Sequence, residues 1–132
     1  MPGHTIGHIA YVFRGDRVAF VGDTLFAMGC GRLFEGTPEQ MHHSLHRFAE
    51  LPDDFRLYCA HEYTLANARF AAHAFPENKA IADRLRLIEQ ERSEARPTVP
   101  TTVDLERSTN PFLLARGIEH FADLRARKDN FR

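Results

Sequence analysis

The sequence lacks the charge excess, the long apolar run and the leader pattern that mark three common classes of protein. Its 17 Lys and Arg residues are offset by 18 Asp and Glu residues, which gives a formal charge of −1. A protein that displaces phosphate counterions needs a basic excess, so we expect no nucleic-acid partner. No apolar run approaches the roughly 20 residues of a transmembrane helix, so we expect no membrane partner. His4 and His8 stand where a signal peptide would need its apolar core, so we expect no signal peptide.

Cysteine is also scarce. Cys30 and Cys59 are the two cysteines of the chain, and no short spacing relates them. This pattern predicts reduced thiols and a cytoplasmic location. The length of 132 residues and the hydrophobic share of 43% are ordinary for one small globular unit.

Three candidate metal ligands stand beside short apolar segments that predict β-strands. Asp23 follows residues 18–21, His61 follows residues 57–60, and His4 precedes residues 6–13. Side chains at neighbouring strand ends can converge, and two imidazoles with one carboxylate suit zinc, iron or manganese. Spacing alone leaves the alternative open that these histidines are surface residues and that Asp23 begins an ordinary turn.

The first half of the chain predicts an α/β arrangement. Residues 6–13 and 17–21 read as strands joined by a turn, residues 55–60 as a third strand, and the glycine-rich residues 23–36 as irregular backbone near a site. Three strands and one helix leave an open edge and exposed apolar faces, so we expect further chain upstream.

The helix between the second and third strands has a clear N-terminal signal. Thr37 can cap it, Pro38 suits its first turn, and Gln40 falls at the capping-box position. Its apolar stripe consists of Met41, Leu45 and Phe48.

The second half predicts helices alone, apart from one extended segment. We expect helices at residues 64–75, 77–92 and 118–128, a short helix capped by Asn110, and extended backbone at residues 97–102.

Several short motifs occur in an order that resembles one enzyme family. They are Pro2-Gly3-His4-Thr5, Gly22-Asp23-Thr24-Leu25-Phe26, Gly29-Cys30-Gly31-Arg32, Phe34-Glu35-Gly36-Thr37, His61-Glu62-Tyr63-Thr64, Pro97-Thr98-Val99-Pro100, Asn110-Pro111-Phe112 and Arg127-Lys128-Asp129-Asn130-Phe131. This pattern resembles hydroxyacylglutathione hydrolase (glyoxalase II) of the metallo-β-lactamase superfamily, and it covers essentially the whole chain. The resemblance implies an α/β class: the second half of an αββα metallo-β-lactamase domain at residues 1–61, then a small all-helical glutathione-binding domain at residues 62–132.

The resemblance also implies a two-metal thioester hydrolase. His4 would bind one divalent ion, Asp23 would bridge both ions, and His61 would bind the second. Zinc is favoured, with iron or manganese as alternatives. Asp23 is therefore also assigned as catalytic, together with a metal-bound hydroxide that attacks the thioester. The implied reaction converts S-(2-hydroxyacyl)glutathione and water to glutathione and a 2-hydroxy carboxylate such as D-lactate, and the full-length family form is expected to be a monomer.

Four residues match positions that contact glutathione in the family: Arg32, Tyr63, Arg125 and Lys128. Arg32 replaces a common lysine, which keeps the charge and changes the donor geometry. Without the resemblance, Arg125 and Lys128 would read as a solvated helix end. His8 either orients the metal site or packs on a strand face, and we favour packing. Cys30 and Cys59 are expected to be packing residues.

The family's His-x-His-x-Asp-His motif, which supplies four further ligands, does not occur in this sequence. We therefore expect a truncated chain that is weakly active or inactive alone, and robust metal-dependent turnover would contradict this. Two alternatives stay open. One is a non-catalytic module that binds glutathione conjugates or docks onto a separate N-terminal half. The other is a persulfide-dioxygenase-like member, against which the His61-Glu62-Tyr63-Thr64 run and the basic C-terminal helix argue.

Overall fold

The computed structural model describes residues 2–5 and 7–131 as a small mixed sheet packed against helices. The elements, in chain order, are β1 (Tyr11–Phe13), β2 (Val18–Gly22), β3 (Leu25–Phe26), β4 (Gly29–Cys30), α1 (Pro38–Ala49), β5 (Arg56–Cys59), α2 (Thr64–Ala74), α3 (Lys79–Ser93), β6 (Thr101–Thr102), α4 (Val103–Thr109), α5 (Pro111–Leu114) and α6 (Ile118–Asp129).

The main sheet has four strands in the order β1-β2-β5-β6. β1 pairs antiparallel with β2, β2 pairs parallel with β5, and β5 pairs antiparallel with β6. Because β2 and β5 run in the same direction, their carboxyl ends meet at one edge of the sheet. The residues that follow these two strands, Asp23 and His61, therefore emerge side by side.

The sheet departs from the sequence-based prediction in two places. The first strand was expected over residues 6–13. Residues 7–10 are not in a strand, and Ile6 lies outside the described residues. Residues 101–102, expected as plain extended backbone, instead form β6 on the far edge of β5. The cause is pairing with β5, which is distant in the sequence, so the local sequence pattern does not predict this strand.

Helix α1 matches its sequence signal closely. The Thr37 side chain accepts a hydrogen bond from the Gln40 backbone N–H, and the Gln40 side chain accepts one from the Thr37 N–H, which completes a capping box. Met41, Leu45 and Phe48 are fully buried, so the predicted stripe is confirmed. This stripe covers the inner face of the sheet, where Ala19, Val21 and Leu57 share one hydrophobic core with residues of α2, α5 and α6.

The glycine-rich segment after Asp23 is more regular than expected. It contains the two-stranded hairpin β3–β4, whose turn places Met28 at a φ of 60°. Helix α4 was also missed, while the short helix α5 is capped by Asn110 as predicted. Among the described residues, no helix combines the length and hydrophobicity that crossing a bilayer would require.

Candidate functional site

The structure brings His4, Asp23 and His61 together at the carboxyl edge of β2 and β5. Nε2 of His61 lies 3.3 Å from Oδ1 of Asp23, and Nε2 of His4 lies 3.5 Å from Oδ2. Each imidazole therefore faces a different oxygen of the same carboxylate. This is the arrangement expected of a carboxylate that bridges two ions, with one histidine on each side.

The hydrogen bonding of His4 determines which ring nitrogen is free to act as a ligand. Its Nδ1 lies 2.8 Å from the carbonyl oxygen of Arg32, which can only accept, so Nδ1 carries the proton and donates. In the neutral ring this leaves a lone pair on Nε2, directed at the Asp23 carboxylate. Metal-binding histidines commonly show this pattern, with the second nitrogen donating to a carbonyl.

The Asp23 carboxylate is placed to bind a cation. Its Oδ1 is buried and makes no hydrogen bond within the described part of the chain, although Nε2 of His61 is 3.3 Å away. Two ligands bound at about 2.1 Å in tetrahedral geometry lie about 3.4 Å apart, which matches both N···O distances. The donor types and their spacing therefore fit divalent cations.

The ligand set is incomplete for such ions. Within residues 2–5 and 7–131, no three His, Cys, Asp or Glu side chains surround a common point that could hold a metal. His4, Asp23 and His61 form two nitrogen–oxygen pairs rather than one trio, and catalytic zinc sites use three protein ligands per ion. The sequence-based assignment of these residues stays a prediction.

His8 takes the role that the sequence analysis did not favour. Its Nε2 accepts a hydrogen bond from the backbone N–H of Asp23 at 2.9 Å. Gly22 turns with a φ of +56°, and a Cβ there would lie 2.5 Å from Cε1 of His8, so glycine is required for this approach. Burial lowers the pKa of His8, and the charge of Asp23 opposes that effect. His8 therefore orients Asp23 rather than simply packing.

A cleft of about 540 Å³ leads from the His4–Asp23–His61 cluster to the last helix. All four predicted substrate residues line it: Arg32, Tyr63, Arg125 and Lys128. The structure thus places the candidate metal ligands and the candidate glutathione contacts on the walls of one cavity.

Arg125 is held by internal contacts that the sequence did not reveal. Its Nη1 donates to the carbonyl oxygen of Cys30 at 2.6 Å, and its Nε and Nη2 donate to Oδ1 of Asp129 at 3.1 and 2.8 Å. The guanidinium also lies over the ring of Phe112. Arg125 therefore fixes the β4 end of the cleft. Because its guanidinium already makes these internal contacts, Arg125 is less free to bind a ligand than predicted.

Lys128 is the better candidate for binding an anion. It is partly buried, and burial lowers its pKa, followed by repulsion from Arg125 and Arg32. Nε of Arg32 lies 3.6 Å from Oδ1 of Asp129, so Arg32 has an internal counter-ion. Lys128 differs, because no carboxylate of the described residues lies within ion-pair distance of its ammonium group. The cleft thus presents an ammonium group that lacks an internal counter-ion in the described chain.

The aromatic wall of the cleft surrounds His61. The ring of Tyr63 stacks on His61 with centroids 4.8 Å apart and an angle of 12°, and Phe26 contacts both rings. Asn67, which sequence reasoning missed, also lines this wall and donates a hydrogen bond to the carbonyl of Ala27. It belongs to no quoted motif, so its sequence position carries no signal.

Comparisons with known proteins agree with this arrangement. The family described as "Metallo-beta-lactamase superfamily" matches residues 1–61. The solved structure of ETHE1 from Myxococcus xanthus superposes with a TM-score of 0.64 at 25% identity, covering 96% of this chain and 42% of that one. The BLEG-1 B3 metallo-beta-lactamase gives 0.54 at 23% identity, covering 85% and 38%, and supports the fold alone. The chain therefore has part of the metallo-β-lactamase fold, as expected, and this superfamily implies a divalent metal site.

The second half of the chain identifies the family. The model described as "Hydroxyacylglutathione hydrolase C-terminus" matches residues 62–131. Hydroxyacylglutathione hydrolase from Maricaulis maris is 54% identical over 144 residues, covering 98% of this chain and 56% of the relative. That from Acidiphilium cryptum is 52% identical over 130 residues, covering 98% and 53%. The chain belongs to the hydroxyacylglutathione hydrolase family, and it spans about half the length of these relatives.

Proposed function

We propose that this chain provides the Asp23 side of the metal centre and the glutathione-binding wall of a thioester hydrolase. The reaction is hydrolysis of S-(2-hydroxyacyl)glutathione to glutathione and a 2-hydroxy carboxylate such as D-lactate. One observation carries the proposal. The two imidazoles facing the Asp23 carboxylate share a single cleft with the ammonium of Lys128, which has no ion pair among the described residues. The names of the relatives support the same reaction.

In this proposal His4 and His61 each offer an Nε2 lone pair, and Asp23 offers one oxygen to each side. Divalent ions bound by these residues would supply a water of lowered pKa and an electrophile for the thioester oxygen. His8 holds Asp23 in orientation, because Nε2 of His8 accepts a hydrogen bond from the backbone N–H of Asp23. We propose zinc as the metal on the basis of the imidazole and carboxylate donors, with two ions in the complete enzyme.

The opposite end of the cleft binds the tripeptide. Glutathione carries two carboxylates, and Lys128 and Arg32 offer cationic donors at this end. Tyr63 and Phe26 provide apolar surface between the two ends, beside His61. We assign residues 1–61 to the metal-binding domain and residues 62–132 to the glutathione-binding domain, a division supported by the meeting of the two family matches at residues 61 and 62.

A cytoplasmic location and a monomeric full-length form complete the proposal. The location is supported by Cys30 and Cys59, which are both free thiols. The monomeric state stays a prediction from the family resemblance.

Calorimetric titration with S-methylglutathione tests the glutathione end of the cleft without requiring turnover. We expect Lys128→Ala to weaken binding about tenfold or more, since a hydrogen bond to a charged group contributes about 1.5–3 kcal/mol. Arg127→Ala is the matched control. It removes the same charge from the position directly before Lys128 in α6, and Arg127 does not line the cleft. Equal weakening by both substitutions, or no binding by the unmodified chain, would contradict the proposal.

A further inference from the structure

Glu62 lies between His61 and Tyr63 in the sequence, but its side chain points away from the cleft that these two residues line. His61 and Tyr63 both line the cleft, and their rings stack on each other. The Glu62 side chain instead contacts Thr98, in the segment that precedes β6. Glu62 lies directly between His61 and Tyr63 in the chain, so a contact that fixes Glu62 also restrains the backbone that carries these two rings.

The contacts of Glu62 are unusually complete for a residue outside regular structure. Its Oε1 accepts a hydrogen bond from the backbone N–H of Thr98 at 2.5 Å. The Oγ1 hydroxyl of Thr98 lies 2.8 Å from Oε1 and 2.7 Å from Oε2 of the same carboxylate. The Thr98 hydroxyl also contacts Oγ1 of Thr64, the first residue of α2. Arg92 lies 3.9 Å from Oε1.

Other contacts also hold the segment between β5 and α2. The Cys59 thiol lies 3.7 Å from the His61 carbonyl oxygen, and the Asn67 N–H donates to the Tyr63 carbonyl at 3.0 Å. β5 ends at Cys59 and α2 begins at Thr64, and Tyr63 caps that helix without a side-chain hydrogen bond. The His61 side chain is 48% exposed and the residue Tyr63 is 51% exposed, so packing covers only about half of each. The Ala60 N–H donates to the Gly22 carbonyl, and the Glu62–Thr98 hydrogen bonds attach the segment to residues 97–100.

We propose that Glu62 is a positioning residue, which acts through Thr98 to hold the stacked His61–Tyr63 pair in the cleft. The segment at residues 97–100 thereby sets the orientation of a candidate metal ligand at the end of β5. The inference rests on the proposed function for the importance of His61 and Tyr63, while the contact itself is independent of catalysis.

Histidine-ring NMR of the 132-residue chain without metal tests the contact directly. The His61 signals, assigned by their loss in His61→Gln, carry the ring-current shift of the stacked Tyr63. We expect Glu62→Ala and Thr98→Val to move these signals toward free-histidine values, and Glu62→Gln, which keeps an oxygen for the Thr98 N–H, to move them less. Glu77→Ala is the matched control, because Glu77 is an exposed glutamate in the turn before α3.

Zinc titration gives a second readout. Loss of a partner that orients a metal ligand typically lowers affinity 10- to 100-fold, so we expect about this loss in Glu62→Ala and Thr98→Val and none in Glu77→Ala. A lowered melting temperature with unchanged His61 signals would mean a merely structural role and would overturn the proposal. Should Glu62→Ala not fold, Thr98→Val still decides, since it removes one hydroxyl. A confirmed contact in a chain that binds no S-methylglutathione would count against the proposed function alone.

Discussion

Cys30 lines the cleft, yet its environment makes it a poor nucleophile. The thiol is fully buried, and burial raises its pKa to about 11, against a weaker opposing effect of the nearby Arg125 guanidinium. A thiolate is the reactive form, so at neutral pH this sulfur is inert. The packing role expected for Cys30 agrees with its place in the hydrophobic core.

The raised pKa of Cys30 predicts an alkaline loss of stability. Well below pH 9 the thiol is protonated in both the folded and the unfolded chain. Between pH 9 and about 11 the unfolded chain releases its proton first, so the free energy of unfolding falls by up to about 1.4 kcal/mol per pH unit. Cys30→Ala removes this contribution, while the other groups titrate alike in both proteins. Urea unfolding at pH 8 and pH 10.5 should show a larger decrease for the unmodified chain, and equal decreases would show that Cys30 does not contribute.

At the scale of single residues, the convergence of Asp23 and His61 was predictable, whereas the contacts that support them were not. Asp23 and His61 were predicted to converge because each follows a strand, and parallel pairing of β2 and β5 brings them together. The sequence left two roles open for His8 and could not decide between them, because the contact with the Asp23 N–H depends on the left-handed turn at Gly22. The contact of Arg125 with the Cys30 carbonyl could not be predicted either, because the two residues are 95 positions apart in sequence.

At the scale of elements, α1 was predictable and α4 was not. The signals of α1 are all local: a capping box, a proline in the first turn and a regular apolar stripe. Helix α4 has seven residues and is held by a buried carboxylate, Glu106, which is 1% exposed. No local pattern distinguishes this glutamate from an exposed one.

Glu106 joins α4 to the β3–β4 turn, to α3, to β6 and to the cap of α5 through hydrogen bonds to both of its oxygens. Its Oε1 accepts from the Met28 N–H at 2.8 Å and from Asn110 at 2.9 Å. Its Oε2 accepts from Arg84 and from Thr101, both at 2.7 Å. The β3–β4 hairpin, and with it the wall of the cleft, is thereby attached to α3 and α4.

Removal of this carboxylate should therefore be costly. We expect Glu106→Ala to lower the free energy of unfolding by about 3–5 kcal/mol, because it leaves the buried Arg84 guanidinium without its partner. Asp104→Ala, at an exposed position in the first turn of the same helix, should cost less than about 1 kcal/mol. Urea unfolding measures both values, and similar losses in the two variants would show that the buried pair adds nothing.

At the scale of the whole molecule, one face of the main sheet remains uncovered by the described chain. Tyr11, Phe13 and Phe20 are 59%, 49% and 46% exposed, and Tyr58 stacks on Phe20. The strand register places these four side chains on the same face, opposite the core. Exposed apolar patches of this kind mark interaction surfaces. The relatives are nearly twice as long as this chain, so their unmatched part is the occupant that we assign to this face.

If the unmatched part of the relatives covers this face, activity should depend on covering it. We expect little hydrolysis of S-lactoylglutathione by this chain with zinc, because three donors are too few for two catalytic ions. Addition of the part of the Maricaulis maris hydrolase that this chain does not match should give a complex on size-exclusion chromatography and a gain in turnover. Phe20→Ser should weaken the complex, whereas Leu87→Ser, an exposed apolar position on α3, should not. Robust turnover by the chain alone would contradict the incomplete ligand set, and equal association of both variants would exclude the aromatic face as the contact surface.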